Sequence, residues 1–255
     1  MIPLAVAPLK GVTVLVTRPQ EQSRELYAKI ISLGGEAIFF PTIEIEAQST
    51  VAPKQEYDWV IFISANAVRH GLARIERSDH TRVAAIGKAT AAVLESFKVR
   101  VDLLPEKDSN SEALLAHPLF SNVAGQNILI VKGEGGRGLL QESLMERGAK
   151  VTTLDAYRRV RPQVDATTVE KLERCWRDDG ISIVTITSVE ILDNLLALLT
   201  DAGKLMLQAT PFVTVSKRIV DAVRAKGITS PYVLSRSADD AAIVGAIAAW
   251  HARAR

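Results

Sequence analysis

The sequence is poor in the residues on which most covalent and metal chemistry depends: its 255 residues include one cysteine and four histidines. A lone Cys175 makes no internal disulfide and no multi-cysteine metal site, which excludes a secreted disulfide scaffold and a zinc module and leaves a packed thiol. Aromatic residues are only 5% of the chain. No lysine- or arginine-rich block stands out either, so the cations interleaved with stacking rings that a nucleic acid requires are missing, and no nucleic-acid partner is expected. No apolar run approaches the roughly 20 residues of a membrane span. Met1 to Leu9 also lack the basic and apolar regions of a secretory signal, so the expectations are no membrane and a cytoplasmic location. Charge of one sign is scarce as well, with 31 basic against 29 acidic residues leaving a formal +2. Charged residues at 24% and hydrophobic ones at 47% make an ordinary globular composition, which excludes disorder, collagen and coiled coil.

What is present is alternation. Short apolar runs alternate with amphipathic stretches from end to end, as when strands buried on both faces are joined by helices, and the fold class is α/β. Val12 to Val16 reads as a strand, Gln20 to Leu33 as a helix with Leu26, Ile30 and Leu33 on one face, and Ala37 to Phe40 as a second strand. Gly34 and Gly35 supply the helix stop. The same unit returns under a shift that carries Gly11 onto Gly125, Leu15 onto Leu129 and Gly34 onto Gly148, with Ile128 to Val131 and Val151 to Leu154 as its strands. Further pairs follow: Val60 to Ser64 with Val184 to Ser188, Val83 to Lys88 with Phe212 to Lys217, and Val101 to Leu104 with Tyr232 to Ser235. The expectation is two doubly wound, mostly parallel five-stranded lobes. Thr42 to Glu46 alternates and is acidic, whereas Ala156 to Arg161 is extended and basic, so the two are expected to pair as an antiparallel, two-stranded connector and hinge.

In open α/β sheets ligands bind outside the carboxyl ends of the strands. That edge selects Thr17 and Arg18, Ser64 and Asn66, Gly87, Lys88 and Thr90, Lys132 to Arg137, Thr187 and Ser188, Ser216 and Lys217, and Ser235 and Arg236. Hydroxyls, cations and glycines dominate, as in a receptor for carboxylate or phosphate. His70, His80, His117 and His251 lie in expected helices or their flanks and read as surface histidines, so no nucleophile–base pair and no metal site is expected. Gly133 to Gly138 forms a G-x-G-x-x-G between a strand and a helix, which admits a nicotinamide reductase. Against it, the corresponding turn of the first repeat has no glycine, and an anion-binding turn carrying Lys132 and Arg137 is the preferred alternative to a purely structural one. Tyr157 is the one phenol near the connector; it serves either as a hydrogen-bond donor or proton source in a cleft or as a residue packed across a ladder. Ser64, Ser188 and Ser216 are either helix N-caps or anion ligands.

Five segments, Val14 to Pro19, Phe62 to Val68, Ala85 to Ala91, Lys132 to Arg137 and Tyr157 to Arg159, occur in an order and at a length that resemble bacterial uroporphyrinogen-III synthases. The resemblance implies two lobes, 1–41 with 162–255 and 42–161. It also implies a cofactor-independent hydro-lyase of haem biosynthesis that closes the polycarboxylated linear tetrapyrrole hydroxymethylbilane to uroporphyrinogen III with inversion of ring D. Tyr157 matches the family's connector tyrosine and is expected to assist departure of the hydroxyl. Ser64, Thr90 and Ser188 match cleft positions; with Arg18, Asn66, Gly87, Lys88, Lys132, Arg137, Thr187 and Ser216 they form the expected substrate-binding set. Ser216 stands where the Gly-x-x-Thr form of Gly87 to Thr90 is absent, and Lys132 where arginine is common. A monomer is the default, with a transient contact to the enzyme that makes hydroxymethylbilane. A two-lobed receptor that closes on an anion without chemistry would share the same pattern.

Overall fold

The structure, a computed structural model, describes residues 7–106, 110–136 and 138–254. The strands are β1 (Thr13–Val16), β2 (Glu36–Phe39), β3 (Glu44–Ala47), β4 (Trp59–Phe62), β5 (Arg82–Ala85), β6 (Asn127–Gly133), β7 (Lys150–Val160), β8 (Ile183–Thr185), β9 (Phe212–Thr214) and β10 (Tyr232–Leu234). The helices are α1 (Arg24–Ser32), α2 (Ala65–Gly71), α3 (Lys88–Ser96), α4 (Ser111–Leu115), α5 (Leu139–Glu146), α6 (Ala166–Cys175), α7 (Val189–Leu198), α8 (Asp201–Ala209), α9 (Lys217–Ala225) and α10 (Asp240–Ala254). Among the described residues no helix is long and apolar enough to cross a membrane.

The chain divides into two compact units, one reaching Glu44 and resuming at Arg161, the other Ile45–Val160. The first holds a sheet of order β10-β9-β8-β1-β2 and the second a sheet of order β3-β7-β6-β4-β5. The first sheet is parallel throughout, as is β7-β6-β4-β5 in the second.

Burial on both faces explains the solid apolar runs. In β4, Val60 and Phe62 enter one core with Ala67 and Val68 of α2 and Ala91 and Leu94 of α3. Trp59 and Ile61 enter the opposite core with Leu114 and Leu115 of α4 and Leu140 and Leu144 of α5. In the other unit Val14 and Val16 join Leu26 and Ile30 of α1 and Ile243, Val244 and Ile247 of α10. Each such side chain contributes about 1.5–3 kcal/mol by leaving water.

Three details depart from the sequence reading. Val101 to Leu104 forms only an isolated bridge, Leu103 to Ala84, because the Asp102 carboxylate takes the Val83 N–H at 2.9 Å that a longer ladder would use; β3 is the fifth strand instead. The helix expected from Gln20 breaks at Ser23, whose hydroxyl donates to the Pro19 carbonyl at 3.0 Å, and α1 starts at Arg24. Val151 to Leu154 and the basic connector are one strand, β7, since nothing between Leu154 and Ala156 stops extension. Its partner β3 is joined through Gln48 N–H to Ala156 O (3.0 Å) and the Arg158 to Glu46 ion pair (2.7 Å), opposed in order as in antiparallel neighbours.

Candidate active site

In the second unit the chain leaves β4 outward to β5 and leaves β6 in the other direction to β7, so the topological switch point lies between β4 and β6. The first unit has its switch between β1 and β8 by the same reasoning. The ends of these four strands and the loops leaving them carry Ser64, Gly133 to Gly136, Thr17 with Arg18, and Thr187 with Ser188.

Ser64 takes extended dihedrals and caps α2, accepting the Ala67 N–H at 2.9 Å. Its Oγ also lies 3.1 Å from Tyr157 Oη. Tyr157 reaches this point through a bulge. Asp155 pairs with Lys132, but Tyr157 pairs with Gly133, so β7 spends one extra residue and the side-chain alternation shifts. The phenol ring then lies against Gly133, where an added Cβ would fall 2.6 Å from its Cζ. The His70 ring, expected at the surface, is half-buried with its centroid 6.1 Å from the Tyr157 ring.

The glycine turn is filled from within. Lys132 Nζ donates to Gly133 O (3.2 Å) and Gly135 O (2.8 Å) and pairs with Asp155 (3.0 Å). Gly135 (φ 76°) and Gly136 (φ 88°) occupy the left-handed region that makes these carbonyls converge. A pyrophosphate cradle needs converging N–H groups; here carbonyls converge on an ammonium, which disfavours the dinucleotide reading. Arg137 lies outside the described residues. Asn66 is 5% exposed, and its Oδ1 accepts from Arg69 at 3.1 Å. At the β5 end Gly87 caps α3 without a side chain, Lys88 is exposed, and Thr90 is buried at 3% exposure.

In the first unit the ends of β1 and β8 are sealed by buried hydroxyls. Thr185 Oγ1 donates to Leu15 O (3.1 Å) and accepts from Thr17 N–H (3.1 Å), while Thr17 Oγ1 donates to Thr185 O. Arg18, expected to meet substrate, turns to Asp240 at the start of α10 and to Ala238 O, with both ionic side chains 12% exposed. Asp239 caps α10 through Ala242 N–H (2.8 Å); the Ser237 hydroxyl first, and then that bond, hold its carboxyl below the ordinary range. Thr187 is half-buried, and Ser188 caps α7 by accepting Ile191 N–H at 3.1 Å. Ser216 occupies the same place before α9 but makes no cap bond. Lys217 pairs with Asp221, Ser235 is buried, and Arg236 is exposed.

Sequence reasoning missed Asp240 as the partner of Arg18 and Thr185 as the partner of Thr17, because both pairs join distant segments. For Lys132, the strong signal was the carboxylate on the adjacent strand, since a half-buried cation at a strand end needs a counter-charge.

Two doubly wound, mostly parallel sheets, each with a capping serine at its switch point, Ser188 in the first beside the buried Thr17 and Thr185 and Ser64 in the second beside Tyr157, define a two-unit α/β protein with hydroxyls at the strand ends. The family described as "Uroporphyrinogen-III synthase HemD" matches residues 24–244. The uroporphyrinogen-III synthase of Salmonella typhimurium (strain LT2) is 34% identical over 201 residues, 73% of this chain and 79% of that protein. That of Escherichia coli (strain K12) is 32% identical over 199 residues, 73% and 80% of the two chains. The structure of uroporphyrinogen-III synthetase from Helicobacter pylori 26695 superposes with a TM-score of 0.63 at 12% identity, covering 94% of this chain and 99% of that one, a likeness of fold. This chain belongs to the uroporphyrinogen-III synthase family, enzymes of haem biosynthesis that close hydroxymethylbilane to uroporphyrinogen III with inversion of ring D.

Proposed function

We propose that this chain carries out that closure with Tyr157 as the group that assists loss of the substrate hydroxyl. The observation that supports the reading is the Ser64 to Tyr157 contact beside the switch point of the second sheet. Ser64 Oγ already accepts the Ala67 N–H, so its own proton is free to go to Tyr157 Oη, and the phenol proton is left to donate outward. Such a chain of donors polarises along its length. The phenol donates its proton to the departing hydroxyl as the C–O bond breaks, and the pyrrole N–H gives up a proton that restores the phenol, leaving water and a neutral azafulvene. The substituted α-carbon of the terminal pyrrole then attacks the azafulvene methylene to give a spiro intermediate. The bond from that carbon to its original methylene bridge breaks, and the bridge bonds instead to the other α-carbon, which loses its proton as the azafulvene nitrogen regains one, so the macrocycle closes with the ring inverted. The sequence is redox-neutral, so it draws on no electron carrier.

Electron-rich pyrroles supply much of the reactivity, and the protein's larger task is to hold the chain curled and suppress the closure without inversion, an entropy-trap role. Thr90, Ser188 and Ser216 are assigned to substrate carboxylates, with Asn66, Thr187 and the backbone at Gly87 and Lys88 beside them, while Ser64, whose one proton goes to Tyr157, acts through the phenol and not as a carboxylate ligand. Lys132 and Arg18, engaged by Asp155 and Asp240, contribute by shaping their loops; Arg137 is kept in the set on sequence grounds. In this reading one copy works alone in the cytoplasm. Because hydroxymethylbilane closes spontaneously to the uninverted isomer, a transient contact with the enzyme that makes it shortens its exposure.

Tyr157→Phe tests the assignment. Turnover should fall about 100-fold, the lower end of what a positioned proton donor contributes, with the melting temperature lowered by no more than the few degrees that one hydrogen bond carries. Full turnover in the folded variant removes Tyr157 from the mechanism.

A further inference from the structure

We infer that Gly133 is a positioning residue for the reaction, its missing side chain being the seat of the Tyr157 ring. The inference rests on the role given to Tyr157 above. An ideal Cβ at Gly133 would lie 2.6 Å from Tyr157 Cζ, 2.8 Å from Cε2 and 3.0 Å from Oη, closer than side-chain carbons come. Gly133 is not among the positive-φ residues, unlike Gly135 and Gly136. The turn therefore asks for glycine at 135 and 136 by its dihedrals, whereas position 133 asks for it by the close approach of the ring.

The backbone beneath the ring is tied on both sides. Gly133 is in register with Tyr157, and Glu134 N–H donates to Tyr157 O at 2.8 Å. Lys132 Nζ holds Gly133 O, Gly135 O and Asp155 together. A methyl group at position 133 thus displaces the ring rather than the strand, because a side-chain end yields more readily than a stapled bulge. Displacing the ring takes Oη away from Ser64 Oγ, the contact on which the donor chain depends. The first glycine of the G-x-G-x-x-G accordingly serves a phenol of the same chain and not a dinucleotide.

The test uses the full chain as wild type, Gly133→Ala, Tyr157→Phe and the double variant, with Gly138→Ala as a control in the same motif. The readouts are kcat and KM for isomer III formation from hydroxymethylbilane generated in place, and the Tyr157 ring resonance in 13C-tyrosine-labelled protein, identified by its loss in Tyr157→Phe. Gly133→Ala should lower kcat about 100-fold, since an ångström of misplacement carries that factor, with KM little changed. In the Tyr157→Phe background it should cost less than about twofold more. The ring resonance should shift in Gly133→Ala and stay in place in Gly138→Ala. Wild-type kcat with an unmoved resonance overturns the inference while leaving Tyr157 in its role, as does an equal loss in both backgrounds. If Tyr157→Phe retains full turnover, the reading of Tyr157 fails and takes the catalytic role of Gly133 with it, while the resonance alone still decides the seat. Should Gly133→Ala melt early, adding Tyr157→Leu decides the cause: the smaller side chain restores the melting temperature if the ring is the obstacle and does not if the backbone is.

Discussion

Ser188 and Ser216 stand at equivalent strand-to-helix junctions of one sheet, but only Ser188 caps its helix: its Oγ accepts Ile191 N–H at 3.1 Å, and Ser216 makes no such bond. Ser188→Ala should therefore cost about 1 kcal/mol of stability, the usual worth of an N-cap. In a chain of this length that lowers the melting temperature by about 2–4 °C. Ser216→Ala should stay within about 0.5 kcal/mol of wild type. Both residues lie in the same unit, so one thermal transition followed by circular dichroism compares them directly. Substrate binding should respond to both, each contact to a carboxylate being worth about 1.5 kcal/mol, or tenfold in KM. Ser188→Asp separates the two roles, since the carboxylate still caps α7 while repelling an anionic substrate. It should melt no earlier than wild type and raise KM more than Ser188→Ala. Equal loss of stability in Ser188→Ala and Ser216→Ala, or wild-type KM in Ser188→Asp, would refute the reasoning.

Two further outcomes are expected. Asp240→Ala strands the Arg18 guanidinium, 12% exposed, and should destabilise by about 3 kcal/mol or more. Adding Arg18→Met should recover part of that in urea denaturation, and additive losses would show that the two charges do not act as a pair. Asp165 caps α6, and its carboxyl is held well below the ordinary range by the Thr167 and Thr168 hydroxyls and the Thr168 N–H. A depressed folded value stabilises above the unfolded pKa and loses that effect as pH falls through the folded one. The gap in melting temperature between wild type and Asp165→Ala should thus hold from about pH 7 to 5 and shrink below about pH 4. A gap unchanged at about pH 2 would show that the charge is not what caps the helix.

The sheets were legible because their central strands are short apolar runs buried along their length, as in Trp59–Phe62, and because the two halves repeat. The connector was legible from alternation and opposite charge together, and the Arg158 to Glu46 pair joins its strands at 2.7 Å. Periodicity failed where one side chain replaced a backbone partner: Asp102 takes the Val83 N–H and cuts an expected strand to a single bridge. It failed again at the β7 bulge, since register depends on pairing between strands and leaves no mark on either strand by itself. The positions of Ser64, Ser188 and Ser216 at strand ends followed from the alternation of elements. Which hydroxyls are engaged, and that Lys132 and Arg18 already hold carboxylates, required the folded chain.

Closure with inversion is measured by generating hydroxymethylbilane in the presence of the protein, oxidising the products and separating the I and III isomers by chromatography. Predominantly isomer III is expected, formed faster than the spontaneous closure and in proportion to protein added. Isomer I alone, at the spontaneous rate and from folded protein, would contradict closure with inversion and leave a two-unit anion receptor without this chemistry.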